Sequence, residues 1–281
     1  MQYKKNLFRI MFGYLLVVTV CSGLALLTTQ IAVAKPDPSP AGGGYLTLEN
    51  DNDFVSTAKP WFPEKEFKQL TIEAWVYFDA LPIEGSYWCI FSQGGRFEFV
   101  LSNFQGMSIL GNAVYSPDAN CKAFSVCDFI PPEKRKNRWI HLFASYSAAV
   151  GFGIDGHGFT GLAGGSIIKS DKSFRIGGLM VQEPNSHNYF GGENVILQGY
   201  IDEVRVSDII RYDPLNGGNY DIPVGKFQSD NHTIGLWHFD GENALKDESG
   251  NGYTLWKNEV YAVQEQGKLP ITWGKLKGDE K

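Results

Sequence analysis

The chain has 281 residues and carries 25 Lys and Arg against 31 Asp and Glu, a formal charge of -6 at pH 7. An acidic surface repels phosphate backbones and anionic membranes, and the short basic cluster Lys134-Arg135-Lys136 does not offset it, so nucleic acid is excluded as an expected partner. At 43% hydrophobic residues, this length suits one all-β domain with a single core.

The N-terminus places Lys4, Lys5 and Arg9 before an apolar run from Ile10 to Leu27, and Ala32-Val33-Ala34 follows. A basic start, an apolar core and small residues at the end make the layout of a secretory signal, so residues 1–34 are expected to be removed. Cleavage would take away three basic groups and leave 247 residues with a formal charge of -9. If the run stays uncleaved, it is long enough to anchor the chain in a membrane. Either outcome puts the remainder outside the cytoplasm.

Residues 35–43, rich in Pro and Gly, cannot form a helix or a central strand and read as an extended linker. The folded unit is expected over 44–265, with a C-terminal tail over 266–281. Within it, apolar residues recur at period two between turn residues, which is the pattern of strands. Leu70, Ile72, Ala74, Val76 and Phe78 alternate with Thr71, Glu73, Trp75 and Tyr77, giving one core face and one aromatic, partly polar face. A second strand is predicted over 95–101. The segment 138–146 is apolar on both faces and is placed centrally. Val150 to Ile154 runs into Asp155-Gly156, a dipeptide suited to a two-residue hairpin turn. Later strands are predicted over 174–177, 200–206, 234–239 and 253–256. No window shows an apolar stripe at helical spacing, so helix is limited to short turns. The fold class that follows is all-β, two packed antiparallel sheets.

Three cysteines remain beyond residue 34. Cys121 and Cys127 are separated by a short stretch that reads as a loop, and they are paired here as a disulfide; Cys89, in an apolar segment, reads as a buried free thiol.

Five blocks of sequence then resemble, in order, the laminin-G-like (concanavalin A-like lectin/glucanase) jelly-roll domains. They are residues 44–55, Leu70-Thr71-Ile72-Glu73-Ala74-Trp75-Val76, Arg138-Trp139-Ile140-His141-Leu142 with Gly153-Ile154-Asp155-Gly156, Gly199-Tyr200-Ile201-Asp202-Glu203-Val204-Arg205, and Leu236-Trp237 with Asp247-Glu248-Ser249-Gly250-Asn251-Gly252. The resemblance spans about residues 44–263. It implies a jelly-roll sandwich of the concanavalin A-like or laminin-G-like type. In many relatives the Leu-Trp block opens the domain; here it follows the Ile-Asp-Glu-Val-Arg strand.

Glycoside hydrolases of such folds need two carboxylates flanking the scissile bond. A strand presents them as Glu-x-Asp-x-Glu, and no strand here has that triplet. Asp202 and Glu203 are adjacent and so point to opposite faces unless a bulge intervenes; a structural role is the preferred reading. Gly-x-Ser-x-Gly is absent, and His141, alternating with Trp139 and Phe143, reads as a hydrogen-bonded core histidine. Catalysis is therefore not expected.

Sugar binding would need an exposed ring with Asn, Asp or backbone groups beside it. Trp61-Phe62 and Tyr87-Trp88 are candidates, each with a core alternative. The preferred ligand site is the polar loop containing Asn185, His187, Asn188, Tyr189 and Phe190. Two acidic loops also suit calcium, which takes oxygen ligands from carboxylates and amides. The resemblance implies that they meet at a sandwich rim, bringing Asp51 and Asp53 to Asp240, Asp247 and Asn251. The alternative is that these are acidic turns and nothing more.

Two function classes follow: an exported, non-catalytic glycan-binding or adhesive module at the cell surface, or a domain that holds an extracellular protein partner without sugar affinity. A hydrolase with an unrecognised carboxylate pair stands third.

Overall fold

The computed structural model describes residues 35–49, 53–61, 65–94, 96–104, 107–115, 121–127, 136–163, 167–178, 193–195, 197–213 and 218–257. The chain divides into two units, Met1–Pro36 and Asp37–Lys281, and every element below belongs to the second. In chain order the strands are β1 (Leu46–Leu48), β2 (Val55–Thr57), β3 (Leu70–Phe78), β4 (Ser86–Gln93), β5 (Phe97–Phe104), β6 (Met107–Tyr115), β7 (Cys121–Cys127) and β8 (Trp139–Tyr146). They continue with β9 (Ala149–Ile154), β10 (His157–Ala163), β11 (Phe174–Ile176), β12 (Glu193–Val195), β13 (Gly199–Ser207), β14 (Thr233–Trp237) and β15 (Leu255–Lys257). Among the described residues the only helical segment is one 3-10 turn, Gly241–Asn243.

One sheet has the order β1-β13-β3-β8-β9-β10, with β14 also on β13; the other runs β15-β2-β11-β4-β5-β6-β7, with β12 on β4. All pairings are antiparallel except β12 with β4. The chain is an all-β, two-sheet antiparallel jelly-roll sandwich. Its core lies between the sheets. The in-phase residues Leu70, Ile72, Ala74, Val76 and Phe78 meet Ile140, Leu142 and Ala144 of β8 and, from the other sheet, Trp88, Phe91, Phe99 and Phe174. Burying such a side chain stabilises the fold by about 1.5–3 kcal/mol each. The Asp155-Gly156 turn has φ of 45° and 85°, as its two-residue hairpin requires.

Two sequence expectations are corrected. The segment 121–127 is a strand, not a loop, paired in register with β6. Cys121 and Cys127 are its first and last residues, so the extended backbone sets their Cα atoms roughly 20 Å apart, whereas a disulfide needs under about 7 Å. The Cys121–Cys127 bridge is therefore incompatible with the fold. Cys89 is buried with a free thiol.

Second, residues 37–43 are not a free linker. Ser39 is buried and its hydroxyl reaches Asp202 Oδ2 at 2.5 Å, while Trp139 Nε1 donates to the Asp37 carbonyl at 2.7 Å. Proline excludes regular structure here but not docking, and the turn that returns Gly42 N to Ser39 O lets the segment lie on the sheet. At Gly43 and Gly44 the chain passes so close to Phe239 and Asp240 that a Cβ would overlap the Asp240 carboxylate or the Phe239 carbonyl.

The outer face of the β3 sheet is covered in part. Glu73 and Trp75 are as buried as their core-facing neighbours. The cover comes from residues 208–213 and 218–232, between β13 and β14, which lie over the strands that the chain has just left.

Candidate functional site

Strand pairing lays out this outer face in rows, because alternate residues share a face and opposite residues sit side by side. One row is Thr47, Tyr200, Tyr77 and Trp139. The next is Asp202, Trp75 and His141; beyond it lie Arg205, Glu73, Phe143 and Gly153. The face divides into a sealed half and an open one.

The sealed half centres on Glu73. Its Oε1 accepts Arg205 Nε at 2.8 Å, its Oε2 accepts the Tyr212 hydroxyl at 2.5 Å, and His141 Nε2 lies 3.5 Å from Oε2. Burial pushes the Glu73 carboxyl upward, but His141, Arg205 and Tyr212 together outweigh it and hold the group below its ordinary value. Tyr220 places its hydroxyl 3.0 Å from His141 Nδ1, and Phe227 packs on Trp75 and Leu236. Tyr212, Tyr220 and Phe227 all come from the covering segment. His141 is the hydrogen-bonded buried histidine expected from its alternation.

Beside this cluster β13 bulges. Asp202 pairs with Trp75 and Arg205 with Glu73, so Glu203 and Val204 together face Ala74, and Glu203 takes φ of 53°. The bulge turns Val204 into the core and leaves the Asp202 and Glu203 carboxylates on one side, the exception that the sequence reading allowed for. Asp202 meets Ser39; Glu203 accepts Phe227 N at 2.8 Å and faces His238 Nδ1 at 2.8 Å. Burial, with the Glu203 charge adding to it against the Ser39 hydrogen bond, pushes Asp202 up to about 7. The hydrogen bond to Glu203 raises His238. A raised acid beside a second carboxylate is a hydrolytic arrangement in outline, yet both are fully buried with every contact internal.

The open half is the aromatic row. Tyr45 joins Tyr77, Trp139 and Tyr200 in a closed circuit, with centroid separations of 5.8 Å (Tyr45 to Trp139), 5.7 Å (Trp139 to Tyr77), 5.8 Å (Tyr77 to Tyr200) and 5.1 Å (Tyr200 to Tyr45). Successive planes are inclined by 51° to 75°. Tyr45, Tyr77 and Trp139 are half-buried and Tyr200 is buried. Glu49 and Asp79 border the circuit: Tyr200 donates its hydroxyl to Glu49 Oε1 at 3.3 Å and also bonds Asp79. Burial and the Glu49 charge raise Asp79 despite the Tyr200 bond. Of these rings, Tyr77 was legible as part of the off-core aromatic phase of β3; that Tyr45, Trp139 and Tyr200 join it depends on the strand order.

The preferred ligand loop, Asn185, His187, Asn188, Tyr189 and Phe190, lies outside the described residues, as do Asp51 and Phe62. Trp61 and the Tyr87-Trp88 pair are core, not surface; Trp61 packs on Phe174 at 4.1 Å. Of the acidic-loop residues, Asp53 accepts Glu49 N, and Asp240 accepts Gly44 N and pairs with Lys226. Asp247 is filled by three backbone donors, Leu236 N and Ser249 N on Oδ1 and Tyr253 N on Oδ2. Asn251 turns its amide nitrogen, not its oxygen, to the carbonyls of Thr233 and Ile234. Each is thus occupied as a loop organiser, and among the described residues no three His, Cys, Asp or Glu converge as for a metal.

No protein-family model and no curated protein matches the sequence. Solved structures similar in fold include a candidate carbohydrate-binding protein from Bacteroides ovatus, at 16% identity and TM-score 0.46 over 76% of this chain and 58% of that one. This chain thus spans less than two thirds of that protein. A heptameric SAP-like pentraxin from Limulus polyphemus matches at 14% identity and TM-score 0.44, over 72% of this chain and 94% of that one. Domains LG4-5 of the mouse laminin α1 chain match at 14% identity and TM-score 0.39, over 70% and 48%. Likeness at this level concerns fold.

Proposed function

We propose that this chain is an exported, non-catalytic binding module of laminin-G-like type that holds a glycan or an extracellular protein at the cell exterior. The observation that carries the reading is the fate of the carboxylates. Glu73, Asp202, Glu203 and Asp247 are buried, and each is engaged by partners within the chain. A hydrolase needs such groups facing a substrate cleft, whereas here they fasten strands, loops and the N-terminal segment together. On the outer side of the β3 sheet the rings of Tyr45, Tyr77 and Trp139 are half-exposed, which suits recognition. The loop with Asn185, His187, Asn188, Tyr189 and Phe190 is the proposed glycan contact, and a structural calcium at the acidic loops is a separate proposal.

A glycan array on the secreted protein, with calcium and with chelator, tests this together with a hydrolysis panel. Saturable glycan binding without turnover, weakened by Tyr189→Ala, is the expected result. Turnover abolished by Asp202→Asn in a folded variant would reverse the assignment. A protein partner is favoured instead by Trp256, exposed on the edge strand β15, if the array is blank and cross-linking captures a defined protein through that edge.

A further inference from the structure

We propose that the aromatic circuit of Tyr45, Tyr77, Trp139 and Tyr200 is a binding site for a small soluble alkylammonium cation. This does not rest on the glycan reading. The four rings are joined in a closed loop, each inclined by 51° to 75° to the next, so they do not form a flat platform. With sides of 5.1 to 5.8 Å, the centre of such a loop falls inside the ~6 Å over which a ring face attracts a cation. A pyranose prefers the opposite arrangement, one or two rings lying flat and open.

The charge on the rim points the same way. Glu49 and Asp79 share a single hydroxyl donor, that of Tyr200, and among the described residues neither has a cationic partner. The basic side chain next along the chain from Trp139, Arg138, is committed to Asp155 at 2.5 Å. Asp37, whose carbonyl receives Trp139 Nε1, brings a third carboxylate near enough to act on Tyr77. The rings are thus edged by negative charge that a ligand cation would balance, and the half-exposure of three of them leaves a way in. β13, β3 and β8 hold three of the rings side by side, and Tyr45 is fixed by the start of β1, so the site is built on strands and costs little to organise.

The test is titration of the purified full-length chain with choline and, separately, with its neutral isostere 3,3-dimethylbutan-1-ol, at constant ionic strength. Readouts are calorimetry and the indole Nε1 signal of Trp139, assigned through Trp139→Phe. Choline is expected to shift that signal and to bind about tenfold more tightly than the isostere. The paired change Glu49→Gln with Asp79→Asn should weaken choline about tenfold and leave the isostere unaffected. Tyr45→Leu, which keeps apolar area but removes a ring face, should weaken choline about fivefold. If that variant fails to fold, the carboxylate pair decides. Equal binding of the isostere would reduce the site to an apolar pocket and overturn the proposal. So would oligosaccharides shifting Trp139 where choline does not, or no response to choline at tens of millimolar, which would mark the rings as packing alone. Glycan-array results bear only on the separate reading above.

Discussion

Glu73 Oε2 accepts the Tyr212 hydroxyl at 2.5 Å, joining two residues 139 apart in sequence and locking the covering segment onto the middle of the β3 sheet. The same carboxylate takes the fork of Arg205, so one buried charge organises three chain segments.

Removing that charge should therefore cost more than removing one bond to it. Glu73→Ala leaves Arg205 largely buried without its partner, and a loss of about 3–5 kcal/mol is expected in urea unfolding. Tyr212→Phe removes a single bond to a charged group, worth about 1.5–3 kcal/mol. Hydrogen exchange in Tyr212→Phe should rise across residues 208–232 while the core strands β3 and β8 stay protected. Uniform loosening of both regions would show that the cover is not a separate unit.

Stability should fall as pH rises from about 4 to about 7. The folded state keeps a proton on Asp202 up to about 7, whereas the unfolded chain releases it near the ordinary value of 3.8. Between those values the folded state binds more protons, so raising the pH favours unfolding, by up to about 4 kcal/mol from this group. His238, raised by Glu203, acts in the same sense: its contribution is present below 6.5 and is lost as pH passes its folded value. Glu73 and Asp240 are lowered, and their contribution disappears only as pH drops through their folded values. Asp202→Asn, whose amide can still meet Ser39, should flatten the slope. Denaturation midpoints at pH 4, 6 and 8 check it; an equally steep decline in the variant would assign the slope elsewhere.

Arg96 should be among the least replaceable surface-distant side chains. It is fully buried in the β4–β5 connection and bonds the carbonyls of Ile168, Trp61 and Lys65 and Gln93 Oε1, drawing separate loops together. Burial lowers its pKa to about 10, still well above neutrality. Arg96→Met leaves three carbonyls without their donor, an expected loss of about 3–5 kcal/mol. Arg96→Lys should recover little, since an ammonium cannot span the same fork of acceptors. Thermal unfolding of both variants is the check.

Peptide mapping without reduction should find no Cys121–Cys127 link. Cys89 should resist alkylation until the protein unfolds, because burial raises its thiol well above the ordinary value and denies access. A Cys121–Cys127 peptide recovered from native protein would mean that β7 is not a continuous strand.

How far the sequence could be read depended on the range of the interactions involved. The in-phase apolar residues of β3 and β8, the Asp155-Gly156 turn and the central place of β8 are set by local alternation and turn chemistry. β6 and β7 were invisible to the same reading. Met107–Tyr115 carries Gly111 and Asn112 at its centre, and Cys121–Cys127 has no clean alternation, so both owe their extended form to pairing in series onto β5. The linker misread has the same origin, since composition rules out regular structure without saying what a segment docks against.

The candidate site shows this division most clearly. Sequence alone determined a two-sheet β fold, an acidic exterior and a strand face in which Glu73, Trp75 and Tyr77 point away from the core, because these follow from charge and from the two-residue period of a strand. Tertiary structure decided which of those residues were sealed and which stayed open. Tyr212 and Tyr220 cover Glu73 and His141 only because the chain after β13 folds back over its own sheet, and Tyr45 and Tyr200 reach Tyr77 and Trp139 only because β1 and β13 lie beside β3. Such contacts join residues more than a hundred positions apart, and their geometry is set by strand order and register, which no local pattern of residues encodes.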